Sequence, residues 1–420
     1  MIKQKPITVF EHQSLTIHHG VDGQKLAKHE LEALQQYHGR KGLPYFSLIH
    51  DGIRLNNHVG VIQVGNTVIE VLPKADHSFS GTDEKKQWRY ILIGMLRAVG
   101  TFNIYAPTSS DLCLKPNSIL DLYFELFIRE VEYLLRIGLI RQYRKNEGNV
   151  NALKGNLQFG EQIRKNLVHQ ERFYVCHTVY DSRHLLHFIL YKTIRLLRQI
   201  NTSVSLHNRI GALLLQFPEM PDVKVTETSF SRLRYNRKTE PYKSAIEIAR
   251  LLLLNYHPDV SHGNNHVLAL MFDMNKLWEK FIYVSLFKNK KSPVTIHEQQ
   301  STYFWKPEKG RRSAIRADIV INRDREECVV LDAKWKAIQD HNPSSDDLMQ
   351  MFVYHDYYKS KKVALVYPGK EQVSVRGKYL DPRTWMERNQ ECCVMTISVE
   401  SNIQLWQKHI SEQIGRWIGN

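Results

Sequence analysis

Two acids and a lysine stand where chain geometry would bring them together. Asp318 interrupts the apolar stretch Arg316-Ala317-Asp318-Ile319-Val320-Ile321, and after thirteen intervening residues Asp332 opens Asp332-Ala333-Lys334, directly behind Val329-Val330-Leu331. Both stretches read as neighbouring strands, where an unpaired carboxylate is costly to bury. Side chains alternate along a strand, so Asp332 and Lys334 share a face while Ala333 points away. Two carboxylates and an amine can then converge on one point. That set suits a hard divalent cation, which takes one or two protein carboxylates and fills its shell with water and phosphate oxygens. Such a cation polarises a phosphodiester and activates a bound water, and a lysine beside it can orient that water or steady developing charge. The competing reading is a pair of strand acids salt-bridged by a lysine, since D-x-K alone is a weak signal.

Three more residues extend the constellation. Glu279, in Leu277-Trp278-Glu279-Lys280-Phe281, lies on a helix preceding these strands and is either a third carboxylate for the metal or a solvated acid paired with a nearby lysine. Gln350 and Tyr354 are four apart on the helix after the D-x-K strand and share its face. Gln350 can hold a metal-bound water or a phosphate, or simply be a solvated polar residue; Tyr354 reads as packing with a polar tip. Basic residues gather at Lys306, Lys309, Arg311, Arg312 and Arg316, with Glu308 the only acid among them, and again at Arg232, Arg234, Arg237 and Lys238 around Tyr235. Such patches give sequence-independent affinity for phosphate, against the plainer alternative of a solvated basic face. The histidines show no ligand spacing with Cys or Glu that would make a zinc site.

The elements that must position these residues follow from periodicity. Residues 1–83 read as β-rich: a strand over Ile7–Ile17, one helix over Asp22–Tyr37, and strands Val59–Val64 and Thr67–Leu72 flanking Gly65-Asn66, a tight-turn dipeptide. Apolar residues three and four apart predict helices over Glu84–Val99, Ile119–Ile140, Glu161–Leu167, His184–Ile200, Leu206–Phe217 and Thr239–Tyr256. This makes 84–262 a central helical region. Tyr256–Asn265, with Pro258 and Gly263, reads as a boundary. Beyond it, 263–420 runs from a long helix, His266–Phe287, through strands Val294–Trp305, Ser313–Ile321 and Cys328–Trp335. A helix capped by Ser345 reaches Tyr358, with Asp346 and Asp347 in its first turn. Strands Val363–Tyr367 and Cys393–Val399 and a helix from Ile403 follow. The fold class is multidomain α+β, ending in an α/β core with a mixed central sheet.

The chain has 420 residues, enough for two or three domains of about 100–200 each. Apolar residues make up 42% and charged residues 24%, as in ordinary globular proteins. A formal charge of +15 favours a polyanionic partner, nucleic acid above all. Five cysteines, an odd number without a C-x-x-C pair, indicate neither a disulfide framework nor a zinc ribbon, and fit reduced thiols in the cytoplasm. Met1–Phe10 holds two lysines and Pro6 but no apolar core of a secretory signal. The apolar runs Tyr90–Val99 and Leu251–Leu254 are too short to span a membrane.

With these residues in place, the sequence resembles the McrC family, cleavage subunits of McrBC-type modification-dependent restriction systems, whose nuclease domain is of the PD-(D/E)xK type. The likeness is carried by Arg316-Ala317-Asp318, Asp332-Ala333-Lys334, Gln350-Met351 and Tyr354, and covers nearly the whole chain. Val59-Gly60-Val61-Ile62 with Ile69-Glu70-Val71-Leu72-Pro73-Lys74 resembles the family's N-terminal segment. Gly138 to Tyr143 and Leu153-Lys154-Gly155 resemble its central region, and Leu277–Phe281 the helix opening its nuclease domain. The proline usual before the first Asp is Ala317 here, and the central region is longer than in a minimal family member, which leaves the role of residues 160–250 open. The resemblance implies Mg²⁺ as cofactor, with Mn²⁺ able to replace it, and cleavage of double-stranded, 5-methylcytosine-containing DNA. It also implies a McrB-like hexameric AAA+ GTPase as partner, docked through the part before residue 263 and stimulated by it. The chain carries no G-x-x-x-x-G-K-[ST] phosphate loop of its own. An autonomous repair nuclease of the same fold and a non-catalytic assembly factor are the alternatives.

Overall fold

The computed structural model describes residues 6–20, 23–41, 44–74, 83–100, 118–257, 266–290, 293–323, 325–338 and 340–419. They form two compact units, one of residues 114–257, the other joining 4–113 to 258–420. The expected order was three consecutive domains, 1–83, 84–262 and 263–420; the division found instead groups residues from before 114 with residues from after 257. The expected boundary loop around Pro258 and Gly263 lies outside the described residues.

In the discontinuous unit, β1 (Ile7–Phe10) lies parallel to β6 (Thr67–Leu72), which forms a hairpin with β5 (His58–Val64). The turn falls at Gly65-Asn66 as expected, and Gly65 takes a φ of 55°, which glycine adopts without strain. The single strand expected over Ile7–Ile17 is instead two. β2 (Ser14–Thr16) pairs with β4 (Gly52–Leu55), and β4 pairs with β3 (Phe46–Ile49) in a separate small sheet. His12, at a φ of 64°, turns the chain between β1 and β2. Helix α1 (Lys28–Lys41) covers this region with Leu31 and Leu34, closing a core with Val9, Phe46, Ile62 and Val71. Helix α2 (Glu84–Ala98) follows, burying Trp88, Ile91, Leu92, Met95 and Leu96.

The other unit opens with α3 (Ile119–Ile137), capped by the Ser118 hydroxyl and ended at Gly138, φ 89°. The next stretch corrects the expectation of an all-helical centre. β7 (Gln142–Val150) and β9 (Phe173–Asp181) make a nine-residue antiparallel ladder, flanked by β8 (Asn156–Leu157) and α4 (Phe159–Asn166). Gln142-Tyr-Arg-Lys-Asn-Glu-Gly-Asn-Val alternates no apolar face, because the hairpin is largely solvated, so periodicity carries no strand signal there. Helices α5 (Leu185–Ile200), α6 (Val204–Gln216), α7 (Glu227–Ser231) and α8 (Lys243–Leu254) complete the unit, with β10 (Tyr256–His257) at its end. Arg232, Arg234, Arg237 and Lys238 are exposed on this unit, just after α7.

The chain re-enters the first unit as β11 (Val267–Asp273), antiparallel to β5 with Val267 opposite Val64. Here a helix from His266 was expected. The run Val-Leu-Ala-Leu-Met-Phe is apolar in every register, so its period is ambiguous, and the fully buried edge of β5 settles it as strand. Helix α9 (Met274–Asn289) starts only where the Asp273 carboxylate accepts the Asn275 and Lys276 amides. Strands β12 (Ile296–Trp305), β13 (Ser313–Ile321), β14 (Val329–Ala333), β15 (Lys362–Gly369), β16 (Val373–Leu380) and β17 (Glu387–Ser398) form one sheet in the order β12-β13-β14-β15-β17-β16. It is mixed, as expected: β14, β15 and β17 run parallel, while β12, β13 and β16 are antiparallel to their neighbours. Helix α10 (Ser345–Tyr358) crosses between β14 and β15, and α11 (Ile403–Ile418) packs against α9. Strand β16 escaped the sequence reading because its residues are mostly exposed. Among the described residues no helix is long and apolar enough to cross a membrane.

Candidate active site

Register brings the two acids together. Ile319 pairs with Leu331 across β13 and β14, so one further step sets Asp318 opposite Asp332. The Ala333 amide donates to Asp318 Oδ2 at 3.0 Å, tying the end of β14 to the acid of β13. Asp332 is 1% exposed, held between the parallel β15 and the antiparallel β13. Its Oδ2 meets Lys334 Nζ at 2.8 Å, and the Lys334 amide bonds the Val366 carbonyl at 3.0 Å, which carries the lysine past the strand's end. Side-chain alternation thus puts Asp332 and Lys334 on one face, as read from the sequence.

Gln350 and Tyr354 reach the same point from α10. Gln350 Nε2 donates to Asp332 Oδ1 at 3.3 Å and to the Tyr354 hydroxyl at 2.6 Å, while Lys334 Nζ donates to Gln350 Oε1 at 3.3 Å. The Tyr354 hydroxyl in turn donates to the Arg316 carbonyl at 2.8 Å. Gln350 therefore bridges acid and lysine and is no solvated helix residue. Tyr354 is buried, with its polar tip spent locking α10 to β13.

Glu279 stands on α9, where Gln299 Nε2 donates to its Oε2 at 2.8 Å. Its neighbour Lys280 pairs with Glu298 instead, so the lysine partner considered from sequence goes elsewhere. Among the described residues no three His, Cys, Asp or Glu side chains cluster closely enough to hold a metal together. Glu279 is near enough for the charge of Asp332 to act on it. Burial and the charge of Asp332 raise its pKa above the ordinary carboxylate range.

The electrostatics of the pair are adverse without a cation. Burial, then the charges of Asp332 and Glu279, push Asp318 up to about 8, and burial raises Asp332 against the pull of Lys334. Lys334 is itself held above the usual lysine range: burial works against its charge, but Asp332 and Asp318 outweigh it. Two acids that resist ionising, side by side on stiff strands, form a site that a divalent cation would relieve. The donor set of two carboxylates fits Mg²⁺, which needs no more from a protein.

The basic loop Lys306–Arg312 joins β12 to β13 and is exposed, with the Arg312 guanidinium 5.7 Å from the Tyr303 ring centre. Arg316, exposed on β13, lines an open cleft with Phe304, Ile315, Met349, Gln350 and Tyr354. That cleft ends at the residues holding Asp332.

Behind the site lie supports that sequence spacing could not reveal. Trp335, next to Lys334, donates its indole N–H to Glu11 Oε1 at 2.8 Å and its amide to Asn275 Oδ1 at 3.1 Å. Its ring meets Trp278 and Trp88 edge-on at 5.4 and 6.4 Å. Glu11 is buried and pushed up to about 7 by desolvation, opposed by the Lys74 amide and the Trp335 indole. Lys336 and the Tyr367 hydroxyl both hold Asp347, which is buried at the start of α10.

Comparison with known proteins agrees with this architecture. A family model described as "McrBC 5-methylcytosine restriction system component" matches residues 53–368. No curated protein matches. A chain in the refined half-complex from the tetradecameric assembly of Thermococcus gammatolerans McrB AAA+ hexamers with bound McrC superposes with a TM-score of 0.73 at 22% identity, over 98% of this chain and 100% of that one. A chain in the cryo-EM structure of the Thermococcus gammatolerans McrBC complex gives 0.50 at 22% identity, over 68% and 88%. The family match spans most of the sequence, both units included, and the chain belongs to the McrBC family.

Proposed function

We propose that this chain is the Mg²⁺-dependent endonuclease subunit of a McrBC-like restriction complex, with a PD-(D/E)xK core. It cuts double-stranded DNA bearing 5-methylcytosine when docked on a McrB-like hexameric AAA+ GTPase, whose GTP hydrolysis it stimulates. The observation that carries the reading is the convergence of Asp318, Asp332 and Lys334 on one point, with both acids resisting ionisation.

In this reading Asp318 and Asp332 hold the cation. When bound, Mg²⁺ (or Mn²⁺ in its place) polarises the scissile phosphate and lowers the pKa of a water. Lys334 orients that water or steadies charge developing on the phosphate, and Gln350 fixes the lysine by accepting from its ammonium. Arg316 and the loop of Lys306, Lys309, Arg311 and Arg312 hold the DNA backbone. The unit of 114–257 is the docking part. In its support, Phe159, Ile163, Leu167 and Val168 stand exposed beside the β7–β9 hairpin, and clustered exposed apolar residues mark interaction surfaces.

The test is cleavage of methylated and unmethylated plasmid by the chain with its AAA+ partner, with GTP or ATP, in Mg²⁺ or chelator. Cutting of methylated DNA that needs Mg²⁺, nucleotide and partner is the expected result. Equal cutting without partner or nucleotide would replace this reading with an autonomous nuclease.

A further inference from the structure

The outer edge of the main sheet carries three consecutive exposed aromatics. Tyr303 is 65%, Phe304 44% and Trp305 57% exposed, at the end of edge strand β12. Strict alternation would aim Phe304 away from its neighbours. Here the ladder slips, Tyr303 pairing with Ala314 and Trp305 with Ser313, and this irregularity falls at Phe304. Such bulges re-aim side chains and recur beside active sites. An exposed aromatic edge strand also invites aggregation unless something covers it.

The surroundings say what the cover is. The loop leaving Trp305 carries Lys306, Lys309, Arg311 and Arg312 against the single acid Glu308, which calls for an anionic cover, and the exposed rings beside these cations favour one that brings flat faces as well as charge. Arg312 already lies over one face of Tyr303. Among the described residues Trp305 has no ring contact. Phe304 stands edge-on to Tyr357 of α10 at 6.2 Å, and the Tyr357 hydroxyl donates to the Phe304 carbonyl at 3.3 Å. This contact fixes the aromatic edge to the wall of the cleft that runs past Arg316 to Gln350, the partner of Asp332.

We infer that this edge is a stacking platform for unpaired nucleobases next to the cut site, and that double-stranded DNA is held there with one strand locally opened. Trp305 and Tyr303 carry the bases, while the loop cations hold the phosphates. Aromatic stacking is tolerant of base identity, and phosphate contacts are indifferent to sequence, so the platform adds affinity for single-stranded character without reading sequence. The inference rests on the nuclease reading of the site, but its measurement does not need cleavage.

The test uses the full chain in chelator, so that nothing is cut, with fluorescence anisotropy of labelled oligonucleotides. A blunt duplex is compared with the same duplex bearing a single-stranded tail or an internal gap. Tailed and gapped DNA should bind more tightly, and Trp305→Ala should weaken them about tenfold or more. Blunt-duplex affinity should move less than twofold. Trp305→Phe should recover part of the loss, as a stacking role requires. Neutralising Lys309, Arg311 and Arg312 together should weaken every DNA and reduce the salt slope by roughly one per lost phosphate contact. Equal weakening of blunt and tailed DNA by Trp305→Ala, or no change in either, would overturn the platform. So would unchanged DNA binding combined with lost stimulation of the AAA+ partner, which would assign the edge to protein docking. Failure of the nuclease reading is seen separately, as absent cutting of plasmid by wild-type chain with partner, Mg²⁺ and GTP.

Discussion

The folded protein should become less stable as the pH rises from about 4 to 8, and Asp318 should be a main reason. Its carboxyl is pushed up to about 8 by burial and by the charges of Asp332 and Glu279. A raised pKa means that the folded state keeps a proton the unfolded state releases near pH 4. The stability is therefore complete below that point and lost as pH climbs toward 8. At about 1.36 kcal/mol per unit, the interval up to pH 7 amounts to roughly 4 kcal/mol. Asp318 is only part-buried, so screening by water brings this to on the order of 2–4 kcal/mol, or about 4–7 °C in Tm for a unit of this size. Asp318→Asn removes both the titration and the charge that opposes Asp332. In metal-free buffer the variant should gain on wild type steadily as pH rises from 5 to 8 and melt higher at pH 8. Mg²⁺ at ten times its Kd should add about 1.4 kcal/mol to wild type, a few degrees, with the gain growing with pH. It should add little to Asp318→Asn. Scanning calorimetry from pH 5 to 8.5, with chelator or Mg²⁺, decides it. Parallel pH curves for the two proteins would refute the electrostatic argument, and an equal Mg²⁺ shift in both would remove Asp318 from the metal site.

Asp332→Ala should lower plasmid cleavage on the order of 10³-fold or more while partner binding, read by gel filtration, is kept. Glu279→Gln should shift the Mg²⁺ concentration for half-maximal cutting severalfold without abolishing it; an unmoved midpoint would take Glu279 out of the site. Glu11→Leu should strip the Trp335 indole and the Lys74 amide of their acceptor, costing about 2–4 kcal/mol in urea unfolding and slowing cleavage, whereas Glu11→Gln keeps an acceptor and should restore both. A fragment of 263–420 should show no cooperative melt by circular dichroism, because it loses β5, α2 and Glu11. A chain with 118–257 replaced by a short linker should melt cooperatively.

The centre of the site was legible because it is local. Alternation along β14 places Asp332 and Lys334 together, and the apolar runs on both sides mark β13 and β14 as neighbours. Gln350 and Tyr354 followed from four-residue spacing on α10. What stayed hidden depends on distant pairing or on the lack of an apolar face. Nothing in Val267–Asp273 tells strand from helix until β5 is beside it. The β7 and β9 strands hold each other by backbone bonds through mostly solvated residues, so no period betrays them. Glu11 and Trp335 meet across more than three hundred residues of sequence, and neither stands out alone.

The β5–β11 ladder also sets a timetable. Its strands are about 200 residues apart, and a ribosome adds about 5–20 residues per second. The N-terminal sheet therefore waits some tens of seconds with one edge open before its last strand is made. Asp318, Asp332 and Lys334 emerge later still, and Trp335 can reach Glu11 only after them. A nascent or truncated chain thus lacks the finished pair of acids and its lysine, so on the proposed reading the capacity to cut arrives last, after both units have been made.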